Sequence, residues 1–207
     1  MEYNNYKNIE SGCNKYGKDR LELATFLHKK ILSTLDIAYT IENGTLLGAF
    51  RNKKFIPHDD DFDFAIFTKN IEEVKGIYRF IKNHLPGKYS CRLVESYCLK
   101  IEVFDKSKGS YILQGPQYKG ADYHHVTADL QFYVYNPETN SYKQLYYAYT
   151  NPAIHAKNTI FPIQSITLEN TLFPAPNNVK TFLENIYGCI EEGATYNSIT
   201  HKYEKKN

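Results

Sequence analysis

Tryptophan is absent from this 207-residue chain, no long apolar run occurs, and the four cysteines are scattered. Without an apolar run of about eighteen residues there is no membrane-spanning helix to expect. Cys13, Cys91, Cys98 and Cys189 form no C-x-x-C pair and accompany no clustered histidine. That spacing argues against a structural zinc site and against a disulfide framework. An excess of one charge sign is lacking as well, with 25 basic and 23 acidic residues. A formal net charge of +2 is too small to imply nucleic-acid binding on electrostatic grounds. The opening residues, Met1-Glu2-Tyr3-Asn4-Asn5-Tyr6, have neither the basic start nor the apolar stretch of a signal peptide. A cytoplasmic location is therefore the expectation. Nineteen tyrosines beside no tryptophan look like codon bias and carry no functional reading.

What is present suffices for one folded domain. Hydrophobic residues make up 42%, enough for a sizeable core, and no internal repeat or low-complexity linker interrupts the chain. The expected layout is a polar segment over 1–18, one domain over 19–200 and a charged, frayed tail over 201–207. Leu21, Ala24, Leu27, Ile31 and Leu35 recur at helical spacing, with Asp19 as cap. Ile37 to Ile41 reads as a strand that delivers Asn43-Gly44-Thr45 at its end. Leu46 to Phe50 reads as a short buried helix and Phe62 to Phe67 as a second strand. Residues 70–84 form an amphipathic helix ended by Pro86-Gly87. Tyr89 to Val94, Leu99 to Phe104 and Ser110 to Leu113 resemble a meander. His125 to Tyr135 is a further strand, and Val179 to Tyr187 a helix stopped by Gly188.

The chemistry concentrates in Ile56-Pro57-His58-Asp59-Asp60-Asp61-Phe62-Asp63-Phe64. Alternate side chains of a strand share a face, so Asp61 and Asp63 point one way while Phe62 and Phe64 enter the core. Acids entering a strand cost desolvation unless a cation compensates them. A hard divalent cation, magnesium or manganese, suits carboxylate oxygens. A second acid, Asp129, sits between Ala128 and Leu130 in an apolar strand. If the two strands are neighbours, Asp61, Asp63 and Asp129 converge on one or two metals. Asp59 shares their face in an extended chain, as an extra ligand or a base, while Asp60 faces away. Upstream, Gly44-Thr45 opens a helix, a place where phosphates bind, and Arg51 follows it as a bidentate phosphate clamp. His58, His124 and His125 take structural roles, as a histidine near a strand end commonly does.

These residues carry a resemblance. Gly44 to Arg51 (G-T-L-L-G-A-F-R) and Ile56 to Phe64 (I-P-H-D-D-D-F-D-F) are similar to the signature of the LicD family, which includes the fukutin-related proteins. Phe161-Pro162, Phe173-Pro174, Pro176-Asn177-Asn178, Leu183 and Tyr187-Gly188 resemble its C-terminal elements. The likeness runs from Tyr39 to Gly188. It implies an α+β nucleotidyltransferase-like fold, a mixed β-sheet flanked by helices, with Gly44-Thr45 and Gly48 in the substrate-binding segment. Asp61 and Asp63 match the family's D-x-D, and Asp129 is the candidate third acid. The activity implied is transfer of a phospho-alcohol, of the phosphocholine or ribitol phosphate type, from a CDP-linked donor to a sugar hydroxyl of a glycan, with release of CMP. Neither nucleic acid nor a membrane span is part of that picture. The alternatives are attack at the nucleotide α-phosphate, or a non-catalytic nucleotide-binding module. His58 replaces a common Trp, and Asp129 lies in A-D-L-Q-F where I-D-I-F-P is usual. No zinc-binding cysteine cluster and no membrane anchor accompany the match.

Overall fold

A computed structural model describes residues 12–57, 59–95, 98–112, 122–145, 152–191, 193–197, 199–200 and 202–205. His58 and Leu113 lie outside the described residues. Among those described, no helix is long and apolar enough to cross a membrane.

The first helix, α1 (Gly12–Phe26), continues into a π-helical turn (Leu27–Ile31) and a 3-10 turn (Leu32–Thr34). It begins inside the polar segment expected over 1–18. Its buried stripe of Leu23, Ala24 and Leu27 anchors the whole helix, so Asp19 lies mid-helix and pairs with Lys108 at 2.7 Å instead of capping. Strand β1 (Ala38–Ile41) leads directly into α2 (Asn43–Asn52), and β2 (Asp63–Thr68) follows. Helix α3 (Glu72–His84) places Glu72 and Glu73 in its first turn and Lys82 and His84 in its last, matching the helix dipole at both ends. Its Val74, Ile77 and Ile81 are buried.

Then come β3 (Tyr89–Val94), β4 (Lys100–Asp105), β5 (Ser110–Ile112), β6 (Asp122–His124), β7 (Thr127–Asn136), β8 (Ser141–Gln144) and β9 (Ile154–Ala156). The main sheet has the order β1-β2-β7-β4-β3, with β8 on β7 and β9 on β8. Among the described strand pairs of this sheet, only β2–β7 is parallel. The expected meander is thus partly wrong: β3 and β4 pair, but β5 pairs with β6 in a separate ribbon. The long strand expected from His125 starts at Thr127, because His125 and Val126 bend between β6 and β7.

The chain closes with α4 (Lys157–Ile160), the hairpin β10 (Gln164–Leu168) and β11 (Thr171–Ala175), α5 (Val179–Tyr187), and the hairpin β12 (Thr195–Asn197) and β13 (Lys202–Glu204). Glu169 and Asn170, both at positive φ, make the tight turn that the right-handed twist of a two-residue hairpin requires. Residues 202–204, expected to fray, are held because Cys189 N–H donates to the Tyr203 carbonyl at 2.7 Å.

Every residue of β2 is buried, as befits a central strand covered on both faces. Phe62 and Phe64 pack with Phe173 of β11, at centroid distances of 5.1 and 6.5 Å. On the opposite face Phe67 meets Tyr133 and Phe161, and Tyr133 meets Phe182 of α5. The Phe67 face also carries Asp63 and Asp129, so aromatic packing covers one end of it and leaves the acidic end open.

Candidate active site

Asp63 and Asp129 are Cα partners across the parallel β2–β7 pair. Backbone bonds from Phe62 N–H to the Thr127 carbonyl (3.2 Å) and from Asp129 N–H to the Phe62 carbonyl (2.7 Å) fix that register. Asp61 lies just before β2, and carboxylate oxygens of Asp61, Asp63 and Asp129 all lie within 4.8 Å of one another. Asp63 and Asp129 are buried, while Asp61 is partly exposed. They sit at a cavity of about 1250 Å³ whose walls also include Gly44, Arg51, Asp59, Lys100 and Tyr187.

The surroundings fix these acids individually. Thr45 Oγ1 accepts from Asp63 N–H at 3.0 Å, tying the start of α2 to β2. Gln131 Nε2 donates to Asp63 Oδ1 at 3.2 Å. Gln144 Nε2 in turn donates to Gln131 Oε1 at 2.6 Å, which holds the Gln131 amide with its nitrogen toward Asp63. The Lys100 ammonium bonds Asp129 Oδ2 and lies 4.0 Å from Glu102, whose carboxylate pairs with Arg92. By register, Asp63, Asp129, Glu102 and Arg92 form one line across four strands.

Burial, then the neighbouring acids, push Asp61 and Asp63 well above the ordinary carboxylate range. Three facing carboxylates repel unless a proton or a cation intervenes. Asp129 Oδ1 is buried without a hydrogen-bond partner among the described residues. That orphaned oxygen, an all-carboxylate donor set and an open cavity fit a hard divalent cation.

The expected phosphate segment divides. Gly44 lines the cavity, and a Cβ built on it would lie 2.6 Å from Asp59 Oδ2, so glycine is required for Asp59 to rest against the start of α2. Thr45 and Gly48 were expected to touch substrate; they lie beneath the cavity wall. Thr45 is fully buried with its hydroxyl engaged by β2, and a Cβ on Gly48 would stand 2.4 Å from the Lys54 carbonyl. Arg51 reaches the cavity but donates to the Ile190 carbonyl at 2.8 Å. Asp59 also lines the cavity; burial, then Asp60, raises it to about 7 against the pull of Arg20. Asp60, expected to face away, has a carboxylate oxygen within 4.8 Å of Asp59 and Asp61. The chain turns ahead of Asp59 instead of extending, with Asp59 N–H bonded to the Ile56 carbonyl at 3.0 Å.

His124 stacks on Phe104 at 3.7 Å between centroids and His125 between Tyr16 and Tyr111, both structural settings. Sequence reasoning missed Lys100, Glu102 and Gln131. Their signal was alternation: Lys100 and Glu102 flank Ile101, and Gln131 follows Asp129 by two. It also missed Glu42, fully buried, whose Oε2 accepts from the Tyr133 hydroxyl at 2.6 Å. Burial raises Glu42 to about 8.

An acid-bearing strand pair beside a Gly-Thr helix start, on a mixed sheet flanked by helices, defines a nucleotidyltransferase-like domain. The chain belongs to the LicD family: the family model described as LicD/FKTN/FKRP, nucleotidyltransferase domain, matches residues 36–178. An uncharacterised protein of Rickettsia prowazekii (strain Madrid E) is 29% identical over 101 residues, 46% of this chain and 38% of that protein. An uncharacterised protein of Rickettsia typhi is 29% identical over 86 residues, 40% of this chain and 28% of its own length. The matched stretch therefore spans well under half of either relative. Among solved structures, the STING-associated CdnE c-di-GMP synthase from Capnocytophaga granulosa is similar at a TM-score of 0.37 and 15% identity, over 64% of this chain and 38% of that one.

Proposed function

We propose that the protein transfers a phospho-alcohol from a CDP-linked donor to a sugar hydroxyl of a glycan, releasing CMP. The observation that carries this reading is the meeting of Asp61, Asp63 and Asp129 oxygens within 4.8 Å at a cavity that also holds the Gly44 end of α2. Asp61, Asp63 and Asp129 would hold magnesium or manganese, which when bound neutralises charge on a diphosphate. The Gly44 backbone and Arg51 position the donor phosphates, Arg51 exchanging its carbonyl partner for them. The acceptor oxygen bonds to the phosphorus bearing the alcohol, and the bond from that phosphorus to the bridging oxygen breaks in line. CMP leaves with the electron pair. Asp129 or Asp59 orients the hydroxyl and receives its proton. Such catalysis is mostly positioning and charge stabilisation.

The test is CMP release from a panel of CDP-alcohols with magnesium or manganese, with product analysis to show which phosphorus was attacked. Asp61→Asn and Asp63→Asn should each lower turnover by roughly a thousandfold or more while keeping a cooperative melt. Substantial turnover in both variants refutes the assignment. An acceptor carrying the nucleotide instead of the phospho-alcohol moves the reaction to the α-phosphate.

A further inference from the structure

Arg20 is fully buried, yet it makes no ion pair with any described residue. Its Nη1 donates to the Asp59 carbonyl at 3.2 Å, its Nη2 to the His125 carbonyl at 3.4 Å, and its Nε has no hydrogen-bond partner among the described residues. A buried guanidinium whose described hydrogen bonds go to backbone carbonyls instead of a carboxylate is a poor way to stabilise a fold. The two carbonyls it bridges explain its place. Asp59 belongs to the turn that leads into Asp61 and Asp63. His125 belongs to the bend that leads into β7 and Asp129. One planar fork from α1 thus spans the two loops whose strands carry the acids. A lysine, with one compact ammonium, does not reproduce that fork. Helix α1 lies before residues 36–178, so this clamp comes from outside the matched domain.

We propose that Arg20 is a positioning residue: it sets the spacing of the loops before β2 and β7, and so the convergence of Asp61 and Asp63 with Asp129. Its effect on cation affinity rests on the reading that these acids bind a divalent cation; its effect on the loops does not. Its positive charge also acts through space on Asp59, which it draws downward.

The whole 207-residue chain is compared with Arg20→Lys and Arg20→Met. Hydrogen exchange is measured on the metal-free proteins, manganese affinity by titration, and melting temperature on each. Amides of residues 59–63 and 125–129 should exchange faster together in both variants, with β3 and β4 unchanged. Manganese should bind roughly 10–100-fold more weakly. If Arg20→Met does not fold, Arg20→Lys carries the test, since it keeps the charge and loses the fork. Wild-type exchange and affinity in Arg20→Lys overturn the proposal, leaving charge alone as the role. Uniformly faster exchange throughout the sheet, with affinity unchanged, also overturns it. If wild-type protein binds no manganese, the cation reading fails and the exchange of the two loops alone decides on Arg20.

Discussion

At the scale of single residues, the contact between Gly44 and Asp59 makes a sharp prediction. A methyl group on Gly44 would meet both Asp59 carboxylate oxygens, at 2.6 and 2.7 Å. Gly44→Ala should therefore cost about 1–3 kcal/mol in denaturant unfolding and depress turnover. Combining it with Asp59→Ala should cost less than the sum of the two single changes, a coupling that a double-mutant cycle measures. Equal and additive costs would mean that the two residues do not touch. Glu42 gives a pH prediction. Its carboxyl holds its proton more tightly in the fold than in the unfolded chain, so its ionisation erodes stability as pH rises from about 4.5 to about 8. Glu42→Gln keeps an acceptor for the Tyr133 hydroxyl and removes that loss. The variant should melt higher than the parent above about pH 8 and alike near pH 4. A variant that melts lower than the parent above about pH 8 and alike near pH 4 would instead assign Glu42 a stabilising negative charge.

At the scale of elements, the β12–β13 hairpin hangs on one residue. Gly188 ends α5 at φ 79, and a Cβ there would sit 2.5 Å from the Tyr203 carbonyl. Gly188→Ala adds the strain of a positive-φ, essentially glycine-only backbone, about 1–3 kcal/mol, to that clash. It should lower the melting temperature and expose residues 189–204 to limited proteolysis, with β2 and β7 still protected. Proteolysis that reaches the sheet as readily would place Gly188 in the global core instead. The hairpin was not legible in the sequence, because 202–204 is charged and has no apolar period; backbone bonding to Cys189 holds it. Elements with strong periodicity were legible: the Val74, Ile77 and Ile81 stripe of α3, and α5 up to its glycine stop. Alternation likewise showed that Asp61 and Asp63 share a face. The bend at His125 was not legible, since aromatic stacking on Tyr16 and Tyr111 decides it. Arg20 gave no signal at all: one cation in a polar helix reads as solvated until the loops it bridges are seen in space.

At the scale of the molecule, the raised values of Asp59, Asp61 and Asp63 share one sign. Each acid is easier to protonate folded than unfolded, so the metal-free protein should lose stability as pH climbs from the ordinary carboxylate range through neutrality. A divalent cation at a hundred times its dissociation constant would add about 2.7 kcal/mol, a rise in melting temperature of roughly 5–10 °C for a chain of this size. Thermal melts with and without magnesium at acid and neutral pH check this; a rise equal at both pH values would mean binding away from the acids. The parallel pairing of β2 with β7 has a further consequence, in time. Asp63 and Asp129 stand far apart along the chain, with β3 and β4 threaded between them. Such non-local pairing closes late and slowly when a chain folds. If Asp61, Asp63 and Asp129 hold the proposed cation, a polypeptide still emerging from the ribosome would have no site for it until β7 is made and docked. On the proposed cation reading, ion uptake during refolding would report the docking of β7 on β2.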